Sequence, residues 1–210
     1  SRRDAGGQAL PDVLAAHGVD LDRALEARSR LDGAAAYLEL HIEQGPVLEA
    51  LDLRDVVLVG FSYGGMIVTV VADRVPERIS RLVYLDAFVP RHGESLRDLI
   101  PELAARMEES ARAEGDGWRV PRLPPQPRKT PQPFGPFGDP VSLRGGDANE
   151  RIPRTYVLFS RNRFPHAPVM ARMGERAREV GWEFIDLPVD HTAPEDDPQR
   201  LGALLLEIAG

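Results

Sequence analysis

The sequence predicts an α/β fold in which helices flank a parallel sheet. Four short runs of apolar, largely β-branched and aromatic residues have the composition of strands buried on both faces, at residues 56–59, 81–86, 154–159 and 182–187. Helical patterns separate most of these runs. Strands that alternate with helices favour right-handed crossovers and hence a parallel sheet.

The elements follow one another in a simple order. Residues 9–31 have apolar positions at helical spacing, so residues 1–50 are predicted to form a helical N-terminal segment, although residues 34–42 fit a helix or a strand equally. A short helix is predicted over residues 47–53. Further helices are predicted over residues 64–75, 168–180 and 194–209.

An insertion of about residues 91–150 separates the second and third predicted strands, and its stretch from 121 to 140 is rich in proline. By composition this stretch fits a linker as well as a structured element. Its position favours a cap that covers an active site, rather than a linker, because functional loops gather at the carboxyl ends of parallel strands. The second predicted domain is therefore residues 51–210, with this cap included.

Composition excludes several classes of function. The chain of 210 residues is 42% hydrophobic, carries a net charge of −7 and has no cysteine. Acidic charge argues against a nucleic-acid partner, and the lack of cysteine excludes disulfides and thiolate chemistry. No apolar run is long enough for a membrane span or a secretory signal, so we expect a cytoplasmic protein without a membrane partner.

The pentapeptide Gly60-Phe61-Ser62-Tyr63-Gly64 lies between a predicted buried strand and a predicted helix. This is the context of a nucleophile elbow, in which Ser62 projects above the sheet and the Tyr63 amide donates to an oxyanion. Glycine is expected at positions 60 and 64 because the sharp turn leaves no room for Cβ atoms beside the serine. The alternative is a glycine-rich turn that carries a surface serine.

A serine nucleophile needs a base, and His191 follows the last predicted strand, where the elbow and its loop would share one edge of the sheet. The alternative is an ordinary loop histidine. The loop after the third predicted strand has no Asp or Glu, so Asp86, at the end of the second, is the candidate triad acid. Asp86 could instead cap the turn that follows it. Asp190 is adjacent to His191, but neighbours in a tight loop seldom meet in triad geometry.

Four separated blocks resemble bacterial α/β-hydrolases of the esterase group related to plant methylesterases and hydroxynitrile lyases. They are residues 53–66, 82–90, 130–133 and 151–156, and the resemblance covers about residues 51–210. It implies a partial α/β-hydrolase fold and ester hydrolysis through an acyl-enzyme, with Ser62 and His191 in the catalytic roles. Tyr63 and Phe61 are expected at the oxyanion and substrate site. Thr192 stands where the lyases carry a lysine, which disfavours lyase activity.

The front of the sequence differs from that family, which places further strands and a His-Gly loop with a second oxyanion donor before the elbow. Residues 36–49 instead resemble zinc-dependent amidohydrolases that cleave N-carbamoyl amino acids, over about residues 12–49. That resemblance implies a metal-ligand role for His41. A zinc site needs three or four protein ligands, and so we expect neither a metal nor another cofactor.

The leading hypothesis is a serine carboxylesterase that acts on small esters, with Ser62, His191 and Asp86 as the triad. The alternative is a catalytically impaired scaffold that acts as a binding or oligomerisation module. An incomplete sheet would leave an apolar edge and face to be covered, and a second copy of the chain could cover them in a homodimer.

Overall fold

The computed structural model describes Leu48 and residues 52–121, 130–145 and 147–210. All of them belong to one compact unit, Leu38–Gly210. The predicted helical segment before residue 48, His41 and almost all of the amidohydrolase-like stretch lie outside the described residues. Within the described ranges, no helix is long and apolar enough to cross a membrane.

Strands and helices alternate along the described chain. The strands are β1 (Val56–Phe61), β2 (Ile79–Leu85), β3 (Arg119–Val120), β4 (Gln132–Pro133), β5 (Arg154–Phe159) and β6 (Glu183–Leu187). The helices are α1 (Gly64–Arg74), α2 (Leu96–Leu99), α3 (Pro101–Glu114), α4 (Asp147–Glu150), α5 (Ala167–Glu179), α6 (Ala193–Asp196) and α7 (Pro198–Ala209). Short 3₁₀ turns lie at Pro76–Arg78 and Gly135–Phe137.

The main sheet has four strands in the order β1-β2-β5-β6, and every neighbouring pair is parallel. Leu58 pairs with Leu82, Val83 with Thr155, and Val157 with Ile185. The predicted α/β class and the parallel sheet are confirmed.

Alternate residues of the strands pack on opposite faces of the sheet, as a strand period of two requires. One face packs against α1 and α5; its buried strand residues are Leu58, Ile79, Leu82, Tyr84 and Tyr156. The other packs against α7; its buried strand residues are Val59, Val83, Leu85, Val157, Phe159 and Leu187. Burial on both faces explains why the strands are continuous apolar runs in the sequence.

The predicted boundaries of β1, β2, β5, β6, α1 and α5 hold to within two residues. Of the helix predicted over residues 47–53, Leu48 is helical, residues 52 and 53 are not, and the others lie outside the described residues. The C-terminal prediction does not hold. There the single helix predicted over residues 194–209 is wrong, because α6 ends at Asp196 and α7 begins at Pro198. The residue before a proline is disfavoured in helical geometry, and Asp197 has φ −140° and ψ 55°. Its side chain accepts the Arg200 amide and so caps α7.

The insertion between β2 and β5 contributes α2, α3, the antiparallel β3-β4 pair, the second 3₁₀ turn and α4. Apolar residues of these elements share one cluster with Met66 of α1, Phe88 after β2, and Met170 of α5. Those from the insertion are Leu96, Ile100, Ala104, Ala111, Phe134 and Phe137. The described part of the insertion therefore packs next to the turn that follows β1.

Candidate active site

Ser62 occupies the sharp turn between β1 and α1. Its φ of 53° lies in the left-handed region, which costs free energy for a residue with a side chain. Three backbone hydrogen bonds hold it there: its amide donates to the Leu85 carbonyl, while its carbonyl accepts from the amides of Gly65 and Phe88. The turn is therefore fixed by the end of β2, by the segment that follows β2 and by the first turn of α1.

The glycines around this turn are not equivalent. A Cβ on Gly60 would lie 2.5 Å from Val68 Cγ2, and a Cβ on Gly65 would lie 2.2 Å from the Phe88 carbonyl oxygen. At Gly64 a Cβ would meet nothing within 4 Å. The expectation that crowding requires Gly64 is wrong, because this position faces open space, and the second crowded glycine is Gly65.

Ser62, His191 and Asp86 form one hydrogen-bonded chain, although 105 residues separate the last two in the sequence. His191 Nε2 lies 2.9 Å from Ser62 Oγ. His191 Nδ1 lies 2.7 Å from Asp86 Oδ2. The carboxylate fixes the orientation of the imidazole and leaves Nε2 facing the hydroxyl, which is the arrangement needed to take a proton from it.

Asp86 is fully buried, with 0% of its surface exposed, and it has φ 42°. A buried charge requires partners, and three donors surround this carboxylate. Besides His191, the Asn162 Nδ2 donates to Oδ2 at 2.6 Å and the Phe159 amide donates to Oδ1 at 3.3 Å. Asn162 is a residue that sequence reasoning missed. The sequence placed Asn162 in the loop after the third predicted strand, but nothing in it indicated that the amide contacts Asp86.

Asp190 fixes the loop of His191 through the backbone. Its Oδ1 accepts the His191 amide at 2.7 Å, and its Oδ2 accepts Arg163 Nε at 2.7 Å. Partial burial raises the pKa of Asp190. The hydrogen bonds from Arg163 and from the His191 amide lower it by more, so this pKa lies below its usual value. Asp190 thus contacts the main chain of His191, while the ring is held by Asp86.

The two residues that flank Ser62 point toward different clusters. Phe61 packs its ring against His191, with centroids 4.6 Å apart, and against Phe159. Tyr63 contacts the insertion: its hydroxyl donates to the Pro136 carbonyl at 3.3 Å and its ring lies 5.4 Å from that of Phe137. Burial, with a smaller contribution from Asp139, raises the pKa of the Tyr63 hydroxyl, so this side chain stays neutral at pH 7.

The main-chain amide of Tyr63 begins α1 and has no acceptor among the described residues. It is therefore free to donate to an oxyanion that forms beside Ser62. In the same ranges, no three His, Asp or Glu side chains converge in a way that could hold a metal ion.

Comparison with known proteins agrees with this architecture. A family model for the alpha/beta hydrolase fold matches residues 25–114. The match begins inside the segment that resembles amidohydrolases, and the amidohydrolase resemblance stays a prediction.

Two relatives share sequence with the chain. The "Carbendazim hydrolyzing esterase" of Nocardioides sp. (strain SG-4G) is 32% identical over 203 residues, which cover 86% of this chain and 83% of that protein. An "Alpha-hydroxynitrile lyase" from Arabidopsis thaliana is 36% identical over 90 residues, or 41% of this chain and 31% of the lyase.

Solved structures share the fold. An extracellular alpha/beta-hydrolase from a Paenibacillus species superposes with a TM-score of 0.62 at 23% identity, covering 77% of this chain and 75% of that one. A pyrethroid hydrolase from Sphingobium faniae JZ-2 superposes with a TM-score of 0.60 at 20% identity, covering 95% and 90% of the two chains. Together with the identity to the Nocardioides esterase over most of both chains, these likenesses confirm the predicted family: the chain belongs to the α/β-hydrolases.

Proposed function

We propose that the chain is a serine hydrolase that cleaves small carboxylic esters through an acyl-enzyme. The observation that carries this proposal is the hydrogen-bonded chain from Ser62 Oγ through His191 to Asp86. The identity with a relative that is named an esterase supports the same reaction class. In this proposal Ser62, His191 and Asp86 are the catalytic residues.

In the proposed reaction, Ser62 Oγ attacks the ester carbonyl carbon while His191 Nε2 takes its proton. The resulting oxyanion accepts a hydrogen bond from the Tyr63 amide. When the bond to the alcohol oxygen breaks, the proton on Nε2 passes to that oxygen and the alcohol leaves. Water then attacks the acyl-enzyme by the same steps, releasing the acid and restoring the Ser62 hydroxyl.

Three neighbouring residues support these roles without reacting. Asp86 stabilises the imidazolium that forms on His191, and Asn162 keeps the carboxylate oriented through its 2.6 Å hydrogen bond. Phe61 packs against the imidazole and restricts its rotation. The insertion, which contacts Tyr63, acts as a cap that shapes the space for substrate.

Hydrolysis of 4-nitrophenyl acetate, followed by release of 4-nitrophenolate, tests the proposal. Ser62→Ala is expected to remove activity above the buffer rate while the circular dichroism spectrum stays unchanged. Ser142→Ala is the matched control, because this serine is exposed and belongs to the insertion, not to the segments that carry Ser62, Asp86 and His191. Equal activity in Ser62→Ala would overturn the proposal, and a folded but inactive wild-type protein would favour the binding or oligomerisation module.

A further inference from the structure

An open cleft of about 650 Å³ lies beside the loop of His191. Its lining comes from the loop after β5, from the segment that carries Pro188 and Val189, and from α6 and the start of α7. The Arg161 amide joins the first two of these segments, since it donates to the Val189 carbonyl at 3.0 Å. The described lining includes neither Ser62 nor His191, so the cleft is separate from the reacting atoms. Its volume is in the range of small-molecule sites.

Charged side chains of both signs line this cleft in equal number. They are Arg161, Arg163, Arg200, Asp190, Asp196 and Asp197. One pair is matched within the protein, because Arg163 Nη2 lies 2.6 Å from Asp190 Oδ2. The other four have no ion-pair partner in the part of the chain that the structure describes. The cleft thus presents two cations and two carboxylates that lack a charged partner there.

The two unmatched carboxylates are held by uncharged donors. Asp196 Oδ2 accepts the Thr192 hydroxyl, and Asp197 Oδ1 accepts the Arg200 amide at the start of α7. These bonds orient the carboxylates and leave their negative charge in place. Arg161, Arg200 and Asp196 are exposed, so a ligand in the cleft can reach all three side chains. A guanidinium offers a planar fork of donors that fits a carboxylate.

We propose that this cleft binds a small zwitterion, an amino acid or a dipeptide. The ligand carboxylate pairs with Arg161 and Arg200, and the ligand ammonium pairs with Asp196. A ligand with one charge would match one set of side chains and be repelled by the other, whereas a zwitterion matches both. Apolar lining from Pro188 and Ala193 suits the carbon skeleton between the two charged groups. This inference does not depend on the proposed function.

The first test compares three ligands of similar shape at pH 7. Glycylglycine carries both charges, N-acetylglycine lacks the ammonium, and glycylglycinamide lacks the carboxylate. Each is titrated into the ¹⁵N-labelled wild-type protein, and the amide resonances of Arg161 and Asp190 report binding. Glycylglycine is expected to bind roughly fivefold more tightly than either analogue, which is the effect of one well-placed exposed ion pair.

Three results would overturn the proposal. The first is the absence of any saturable shift with glycylglycine. The second is equally tight binding of N-acetylglycine, which would make the cleft a site for anions in general. The third is equally tight binding of glycylglycinamide, which would make it a site for cations.

Variants that remove one charge locate the two recognition groups. Arg200→Gln is expected to weaken glycylglycine and N-acetylglycine roughly fivefold and not to weaken glycylglycinamide. Asp196→Asn keeps an acceptor for the Thr192 hydroxyl, and it is expected to weaken glycylglycine and glycylglycinamide but not N-acetylglycine.

Arg172→Gln and Glu175→Gln are the matched controls, because they remove the same charges from exposed positions of α5 outside the cleft lining. Both are expected to bind all three ligands as the wild type does. Arg200 and Asp196 are exposed as well, so the four variants are expected to fold normally. Equal weakening by the controls, or unchanged binding in Arg200→Gln and Asp196→Asn, would place the ligand elsewhere and overturn the proposal.

Discussion

Gly65→Ala tests how the turn of Ser62 is built. The new Cβ would lie 2.2 Å from the carbonyl oxygen of Phe88 and 2.9 Å from Ala87 Cβ, both closer than real contacts allow. The Phe88 carbonyl belongs to the main chain, so it cannot rotate away as a side chain would. The Phe88 amide also donates to the Ser62 carbonyl, and so a shift of this segment reaches the nucleophile.

The size of the effect follows from the contact. Overpacking a well-packed site costs about 1–3 kcal/mol, and a main-chain obstacle favours the upper half of that range. A loss of about 2–3 kcal/mol lowers the melting temperature of a chain of this size by roughly 5–10 °C. Urea denaturation followed by circular dichroism gives the free energy of unfolding, and 4-nitrophenyl acetate hydrolysis gives the effect on Ser62.

Gly64→Ala is the control, since a Cβ there meets nothing within 4 Å. Alanine is the better helix former by up to about 1 kcal/mol, and so this variant is expected to be as stable as the wild type or slightly more stable. Equal destabilisation by both substitutions, or a Gly65→Ala protein as stable as the wild type, would refute the contact argument.

Three further predictions concern the residues around His191. Asp86→Asn is expected to lower kcat for ester hydrolysis about 10⁴-fold, because an amide cannot hold the reactive tautomer, and a kcat within tenfold of the wild type would contradict its role. Asp190→Ala should reduce the free energy of unfolding by about 1 kcal/mol through loss of the bond to the His191 amide. Asp190→Asn, which keeps an acceptor, should lose less; identical losses would refute the role of that bond. Burial lowers the pKa of His166 from 6.5 in the unfolded chain to about 4 in the folded protein, so the unfolded chain takes up a proton on His166 at higher pH than the folded one does. The free energy of unfolding therefore decreases as the pH falls from about 6.5 to about 4. Urea denaturation from pH 7 to 4 should show a smaller loss in His166→Phe, and an unchanged pH dependence would contradict the shift.

The sheet and the elbow could be predicted because their signals are local. A strand buried on both faces is a continuous apolar run, and residues 56–59 and 154–159 have that pattern. The parallel sheet then brings the ends of β1, β2 and β6 to one edge, where the candidate residues Ser62, Asp86 and His191 were expected to meet. The motif and the chain order selected Ser62 and His191, whereas for Asp86 the sequence left the role of a turn cap open.

Residues whose role depends on neighbours distant in sequence were missed. Asn162 meets Asp86 across 76 residues, and nothing in the local sequence names the partner of its amide. The contact between the rings of His166 and His191, with centroids 4.6 Å apart, could not be predicted for the same reason. The motif predicted crowding at Gly64. Crowding depends instead on the course of the chain after β2, where Ala87 and Phe88 lie against Gly65. The break at Asp197, by contrast, was visible in the Asp-Pro pair and could have been predicted.

The most direct test of the central claim is labelling of the wild-type protein with a fluorophosphonate, followed by mass spectrometry of the modified peptide, beside Ser62→Ala. A serine that is deprotonated by an aligned histidine reacts with this reagent, whereas an ordinary surface serine does not. The account predicts one label per chain, on Ser62, and none on Ser62→Ala. A folded wild-type protein that stays unlabelled, or that is labelled on another serine, would contradict it.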